Sequence, residues 1–152
     1  MSTRFAKDWE TSKRGIRSVI KPTVPLRQKI DLAIRRVEAQ IQYLEGALHV
    51  LSERDKALFS KVVDAYSKHE IQRAHVFANE LAELRKMVSF MMNAELALER
   101  VVLRLRTVTQ LGNVVVALGP ATKVLQSVST GVAGVLPNAE LELGEIGRML
   151  ND

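Results

Sequence analysis

Apolar side chains recur in steps of three and four along two adjacent stretches of this chain. The first runs Ile30, Ile34, Val37, Ile41, Leu44, Leu48 and Leu51, then Leu58 and Val62, with Asp55 where the next apolar side chain is due. The second runs Phe77, Leu81, Leu84, Val88 and Met91, then Leu98, Val102 and Leu105. Such spacing lays a stripe along one face of an α-helix. No proline interrupts either stretch, and Gly46 is the only glycine between residues 26 and 111. The pattern predicts one helix from about Leu26 to Lys68 and a second from about Glu70 to Leu111. A helix from Leu26 to His69 is about 65 Å long. A seam of that length needs another long helix beside it, from the same chain or another copy. Only Ser67-Lys68-His69 separates the two, so the helices are expected to be antiparallel neighbours joined by a very short turn. One continuous helix, with the turn opened, is the alternative reading.

The pattern changes at both ends of this hairpin. Residues 1–25 form a separate arm. On a helix, Phe5, Trp9, Ile16 and Ile20 share one stripe, and Lys7, Lys13, Arg14, Arg17 and Lys21 lie elsewhere on its surface. Pro22-Thr23-Val24-Pro25 is extended and isolates the arm from the hairpin. Residues 112–152 read as two short helices. Gly112-Asn113 resembles a C-cap pair, and Gly119-Pro120 marks a break with proline opening a third helix that runs to about Val132. Gly134 to Pro137 forms a second boundary before a short amphipathic helix carrying Leu141, Ile146, Met149 and Leu150. Gly112, Gly119, Pro120, Gly134 and Pro137 are the expected joints of a mobile part. The fold class is therefore all-α, a long antiparallel two-helix hairpin followed by shorter helices.

Composition sharpens the picture at one point. The chain of 152 residues has a formal net charge of +5. Residues 1–36 hold ten Lys and Arg against three acids, and residues 37–152 hold twelve against fourteen. The positive excess thus sits in the arm and the start of the first helix, which calls for an acidic partner, anionic lipid or nucleic acid. There is no cysteine, so no disulfide framework and no thiolate metal site. The N-terminus is charged and lacks the apolar run of a secretory signal. The longest apolar run, Val114 to Leu118, is far short of the roughly 20 residues that span a bilayer.

Catalytic patterns are missing. His49, His69 and His75 form no H-E-x-x-H pattern, and there is no P-loop or serine elbow. Glu95 and Glu99 stand four apart on one helix. A carboxylate di-metal bundle also wants Glu-x-x-His pairs on other helices, and the sequence has none. No cofactor and no metal is expected, and the expected role is not enzymatic. Met87, Met91 and Met92 read as adaptable core. Asp55 is either a solvated residue where the hairpin widens or a polar contact that sets register, with Arg85 or Glu99 as partner.

The stretch Ala74-His75-Val76-Phe77-Ala78-Asn79-Glu80-Leu81-Ala82-Glu83-Leu84-Arg85-Lys86 resembles the signature of the ESCRT-III (Snf7) family, in its archaeal cell-division branch, CdvB. So do Ala97-Leu98-Glu99-Arg100-Val101, Glu53-Arg54-Asp55-Lys56-Ala57-Leu58-Phe59, and Glu142-Leu143-Gly144-Glu145-Ile146. The four occur in the family's order, across about residues 26–150. The resemblance implies a filament subunit that polymerises on membranes and remodels or cuts membrane necks in archaeal cell division or vesicle budding. The implied partners are further copies, anionic membrane, other ESCRT-III paralogs and a Vps4-like AAA+ ATPase. The implied location is cytoplasmic, on the inner face of the cell membrane at the division site. The chain departs from the family pattern after its last helix. No Pro-rich motif or further Leu-rich helix for the ATPase's MIT domain and no winged-helix extension follows in this sequence, so either it is a truncated piece or the ATPase link is made otherwise, and it looks more like a paralog lacking the wing.

On this reading Phe5, Trp9, Lys13, Arg14, Ile16, Arg17, Ile20 and Lys21 bind membrane. Ile34, Val37, Ile41, Leu44, Leu48, Leu51, Asp55, Leu81, Leu84, Arg85, Val88, Leu98, Val102 and Leu105 build the hairpin and its assembly. The last two helices pack on the hairpin in a closed monomer and on neighbours in the polymer. A basic helical hairpin that binds nucleic acid is the alternative function, and a plain coiled-coil adaptor is a third.

Overall fold

The computed structural model describes residues 26–111 and 114–151. Four α-helices occupy them: α1 Leu26–Ser67, α2 Ile71–Leu111, α3 Val114–Val132 and α4 Pro137–Asn151. The joint at Gly112 and the arm residues Phe5, Trp9, Lys13, Arg14, Ile16, Arg17, Ile20 and Lys21 lie outside the described residues.

α1 and α2 are the two predicted seams, zipped face to face into an antiparallel hairpin. Ile30, Leu44, Met91, Leu98 and Leu105 are almost fully buried along the contact, and Val37 and Val101 complete it. Alanines the apolar count passed over do the same work. Ala33, Ala65, Ala74 and Ala94 are buried, because a small side chain lets two helices approach closely.

The turn has no glycine, yet it is built as a glycine turn. His69 takes a left-handed backbone, with φ 60°. The amide of Glu70 donates to the carbonyl of Ala65 at 2.9 Å, and that of His69 to Tyr66 at 3.1 Å. These two bonds are the Schellman pattern that closes a helix. Glu70 then opens α2, its carbonyl accepting from the amide of Ala74 at 2.9 Å.

α3 begins at Val114 rather than Pro120, and Pro120 lies inside it. Gly119-Pro120 is therefore no boundary. Proline costs the bond its missing N–H would make, and the apolar face of α3, buried through Ala121, Leu125, Val128 and Val132, offsets that cost. The second boundary falls where the sequence put it. Val132 accepts from Val135 and Leu136, and α4 starts at Pro137.

α3 and α4 pair with each other, α3 lying on α2 and α4 on α1. Ala139, Leu143, Ile146 and Leu150 close the α4 side. The Ser129 hydroxyl donates to the carbonyl of Glu140 at 2.8 Å across the pair. A Cβ on Gly131 would collide with the Phe90 ring, so glycine lets the end of α3 sit against α2. The short helices thus thicken the open end of the hairpin into a four-helix core. Among the described residues no further helix covers the hairpin towards its tip, and Phe59, Val63, Tyr66, Ile71 and Val76 are all exposed.

Candidate functional site

Three polar contacts lock the elements together. Asp55, at the gap in the seam, is held by Arg85 on α2: Nε donates to Oδ2 at 2.9 Å and Nη2 to Oδ1 at 3.3 Å. The paired geometry of a guanidinium on a carboxylate fixes both distance and angle. Of the two partners the sequence left open for Asp55, the fold selects Arg85. Hydrogen bonding to Arg85 holds the Asp55 carboxyl below its ordinary range. Further from the turn, Arg106 donates to Glu38. The two pairs mark the register of α1 against α2.

Arg36 makes the third contact, between α1 and α4. Its Nε donates to Glu142 Oε1 at 2.6 Å and its Nη2 to Glu145 Oε2 at 3.1 Å. Its Nη1 reaches the Met149 sulfur at 3.9 Å. The hydrogen bond from Arg36 holds the Glu142 carboxyl below its usual range, against the opposing effect of burial. In sequence Arg36 belongs to the basic excess of residues 1–36, while Glu142 and Glu145 lie in the last helix. The signal was available as opposite charge in the two segments, but no local spacing links residues more than 100 positions apart.

Glu45, Glu95 and Glu99 form the opposite kind of cluster. Their carboxylates each bring an oxygen within 4.8 Å of the others, and none of the three forms an ion pair among the described residues. Partial burial, followed by the charges of Glu45 and Glu99, pushes the Glu95 carboxyl up. No histidine belongs to the group, and the spacing that flagged Glu95 and Glu99 here amounts to a patch of like charge.

The residues expected to build the hairpin divide by depth. Ile34, Val37, Ile41, Leu44, Leu51, Leu81, Leu84, Leu98, Val102 and Leu105 are buried within the single chain. Leu48 and Val88 are half-buried against that core. Met91 is fully buried and Met87 half-buried, but Met92 is 53% exposed, so the methionines are not one core group. The outward faces carry apolar side chains as well: Tyr43 and Val50 on α1, Leu96 and Leu103 on α2. Tyr43, Gly46, Val50 and Arg54 line a groove against α2 and the α3–α4 turn, with Gly134, Val135 and Leu136 on its far wall. At the tip, Lys61 and Arg73 each stand 5.7 Å from the centre of the Phe77 ring, a cation–π arrangement. Among the described residues no helix is long and apolar enough to cross a membrane.

Comparison with known proteins bears on what such surfaces serve. The chain is 36% identical over 152 residues to Cell division protein B1 of Sulfolobus acidocaldarius, covering all of this chain and 70% of that protein. It is 34% identical over 131 residues to Cell division protein B of the same organism, covering 86% of this chain and 50% of that protein. No family model matches the chain, and no solved structure matches it.

Proposed function

Because the chain belongs to the archaeal CdvB cell-division branch of the ESCRT-III family, we propose that it is a filament subunit that polymerises on anionic membrane and remodels or severs it during division or vesicle budding. The observation that carries this reading is the similarity along the whole chain to a cell division protein. A role in cell division follows from it, and the further steps rest on physical argument.

The long hairpin supplies a stiff rod with apolar outer faces. The arm, residues 1–25, carries most of the positive excess. Each Lys or Arg near an anionic surface contributes about 1 kcal/mol, and each partly inserted aromatic or aliphatic side chain adds a similar amount. One arm binds weakly and reversibly, whereas many arms on one polymer bind firmly. Membrane attachment through the arm therefore works only if the protein assembles. The role needs no catalytic group in this chain. Its partners are further copies, anionic lipid, other ESCRT-III paralogs and, by family resemblance, a Vps4-like AAA+ ATPase. Its place is the inner face of the cell membrane at the division site.

Flotation with anionic liposomes, set against DNA binding at the same salt, tests the reading. The intact chain should float and form filaments in negative stain. Trp9→Ala, or deletion of residues 1–21, should abolish flotation while helical circular dichroism persists. DNA binding without flotation would favour the nucleic-acid alternative. Discrete oligomers with no filaments, with or without vesicles, would leave the coiled-coil adaptor.

A further inference from the structure

We propose that the outer edges of the two long helices meet between copies, Leu96 and Leu103 on α2 of one copy seating over Gly46 and Ala39 on α1 of the next. The proposal rests on the filament reading above and names the surfaces that would build it.

Gly46 lies two residues from buried Leu44 and from half-buried Leu48. Helix geometry therefore turns it away from α2. Nothing stands within 4 Å of where its Cβ would be, so no contact inside the chain asks for glycine there. A glycine in a helix interior weakens the helix relative to alanine. The notch it leaves is part of the groove with Tyr43, Val50 and Arg54.

Leu96 is the counterpart. It lies two residues from buried Ala94 and buried Leu98, so it is turned away from α1, and it is 59% exposed. The pairs Asp55–Arg85 and Glu38–Arg106 mark the register, and by interpolation between them Gly46 and Leu96 stand level on opposite edges of the same hairpin. Seven residues further towards the open end, Ala39 follows Gly46 and Leu103 follows Leu96. Leu103 is 65% exposed. A seven-residue repeat keeps to one face of packed helices. Two large side chains on one edge are thus matched in order and spacing by two small ones on the other.

A second copy displaced sideways, without sliding along the helix axis, brings these edges together. Because knobs and notches lie on different edges, the contact is head-to-tail and does not close on itself, which gives a filament rather than a dimer.

The test compares wild type, Gly46→Ala, Gly46→Leu, Leu96→Ala and the double variant Gly46→Leu with Leu96→Ala, by thermal melting and by sedimentation with anionic vesicles. Gly46→Ala should raise the monomer's Tm by about 2–4 °C yet raise the critical concentration for assembly. Gly46→Leu should raise that concentration at least about tenfold. Leu96→Ala should act in the same direction without lowering Tm. The double variant, which moves the knob to the other edge, should recover most of the assembly. The native chain has no cysteine, so a mixture of Gly46→Cys and Leu96→Cys copies, oxidised on vesicles, should crosslink into heterodimers where neither alone does. Wild-type assembly by Gly46→Leu, or filaments that give no crosslink, would overturn this contact and leave the membrane-polymer reading standing. If the wild type did not self-associate at all, both would fall.

Discussion

His69 holds a conformation that favours glycine, and nothing about its position in the turn needs the imidazole. A left-handed backbone costs an ordinary residue about 1 kcal/mol or more. His69→Gly should therefore stabilise the chain by about 1 kcal/mol, read as a higher midpoint in urea unfolding. At Asp55 the sign of the pH effect is set by its lowered pKa. The Asp55–Arg85 pair contributes stability that is fully present above the unfolded carboxyl value, about 3.9. It is lost as pH falls through the lower folded value, so Asp55→Asn should flatten the stability profile in that acid range. Glu95 runs the other way. Its raised pKa means that the folded state binds more protons, so stability falls as pH rises from the unfolded value, about 4.3, through the folded one. Glu95→Gln should stabilise by a few tenths of a kcal/mol, roughly the size of a like-charge i,i+4 repulsion. That gain should vanish below the unfolded value, which unfolding series at several pH values would follow.

At the scale of elements, Arg36 is the polar tie between α4 and the hairpin. Its partners are partly exposed, so the net value of the contact is about 1 kcal/mol after solvent screening. Arg36→Ala should cost that much, and hydrogen exchange should speed up in residues 137–151 well before it does in the hairpin. The limits of α1, α2 and α4 were legible to within a few residues, because a stripe repeated over many turns outweighs local punctuation. The start of α3 was not. Gly119-Pro120 reads as a stop signal, and local chemistry alone gives no way to see that burial of Ala121, Leu125 and Val128 carries the helix across it. The turn is expected at Ser67-Lys68-His69, with one continuous helix as the alternative, and the fold puts it at residues 68–70, between helices that end at Ser67 and begin at Ile71.

As a whole the molecule is a rod that is thick at one end and bare at the other. α3 and α4 cover the open end, while Phe59, Val63, Tyr66 and Ile71 leave an apolar tip in water. A single chain covers only part of those side chains. Phe59→Ser together with Tyr66→Ser should change monomer stability by no more than about 0.5 kcal/mol for each substitution. Light scattering should show self-association reduced if the tip takes part in assembly. The candidate contacts between copies are the least legible in sequence. Leu96 and Leu103 fall outside the seam, and apolar residues off the seam are ordinary on any surface until register shows what stands level with them.

The sequence by itself determined that this protein is two long helices needing each other, with positive charge gathered at one end. Period and charge count are local properties that survive any arrangement of the elements. The resemblance to the family rests on short motifs, three on those same helices and one on α4. Only the tertiary structure decided that Arg85, not Glu99, holds Asp55, that Arg36 ties down the last helix, and that Glu45 joins Glu95 and Glu99 in an acidic patch. It also placed Gly46 opposite Leu96. Each of these depends on the register between helices distant in sequence, and register is set by packing across the whole interface rather than by any residue's neighbours along the chain.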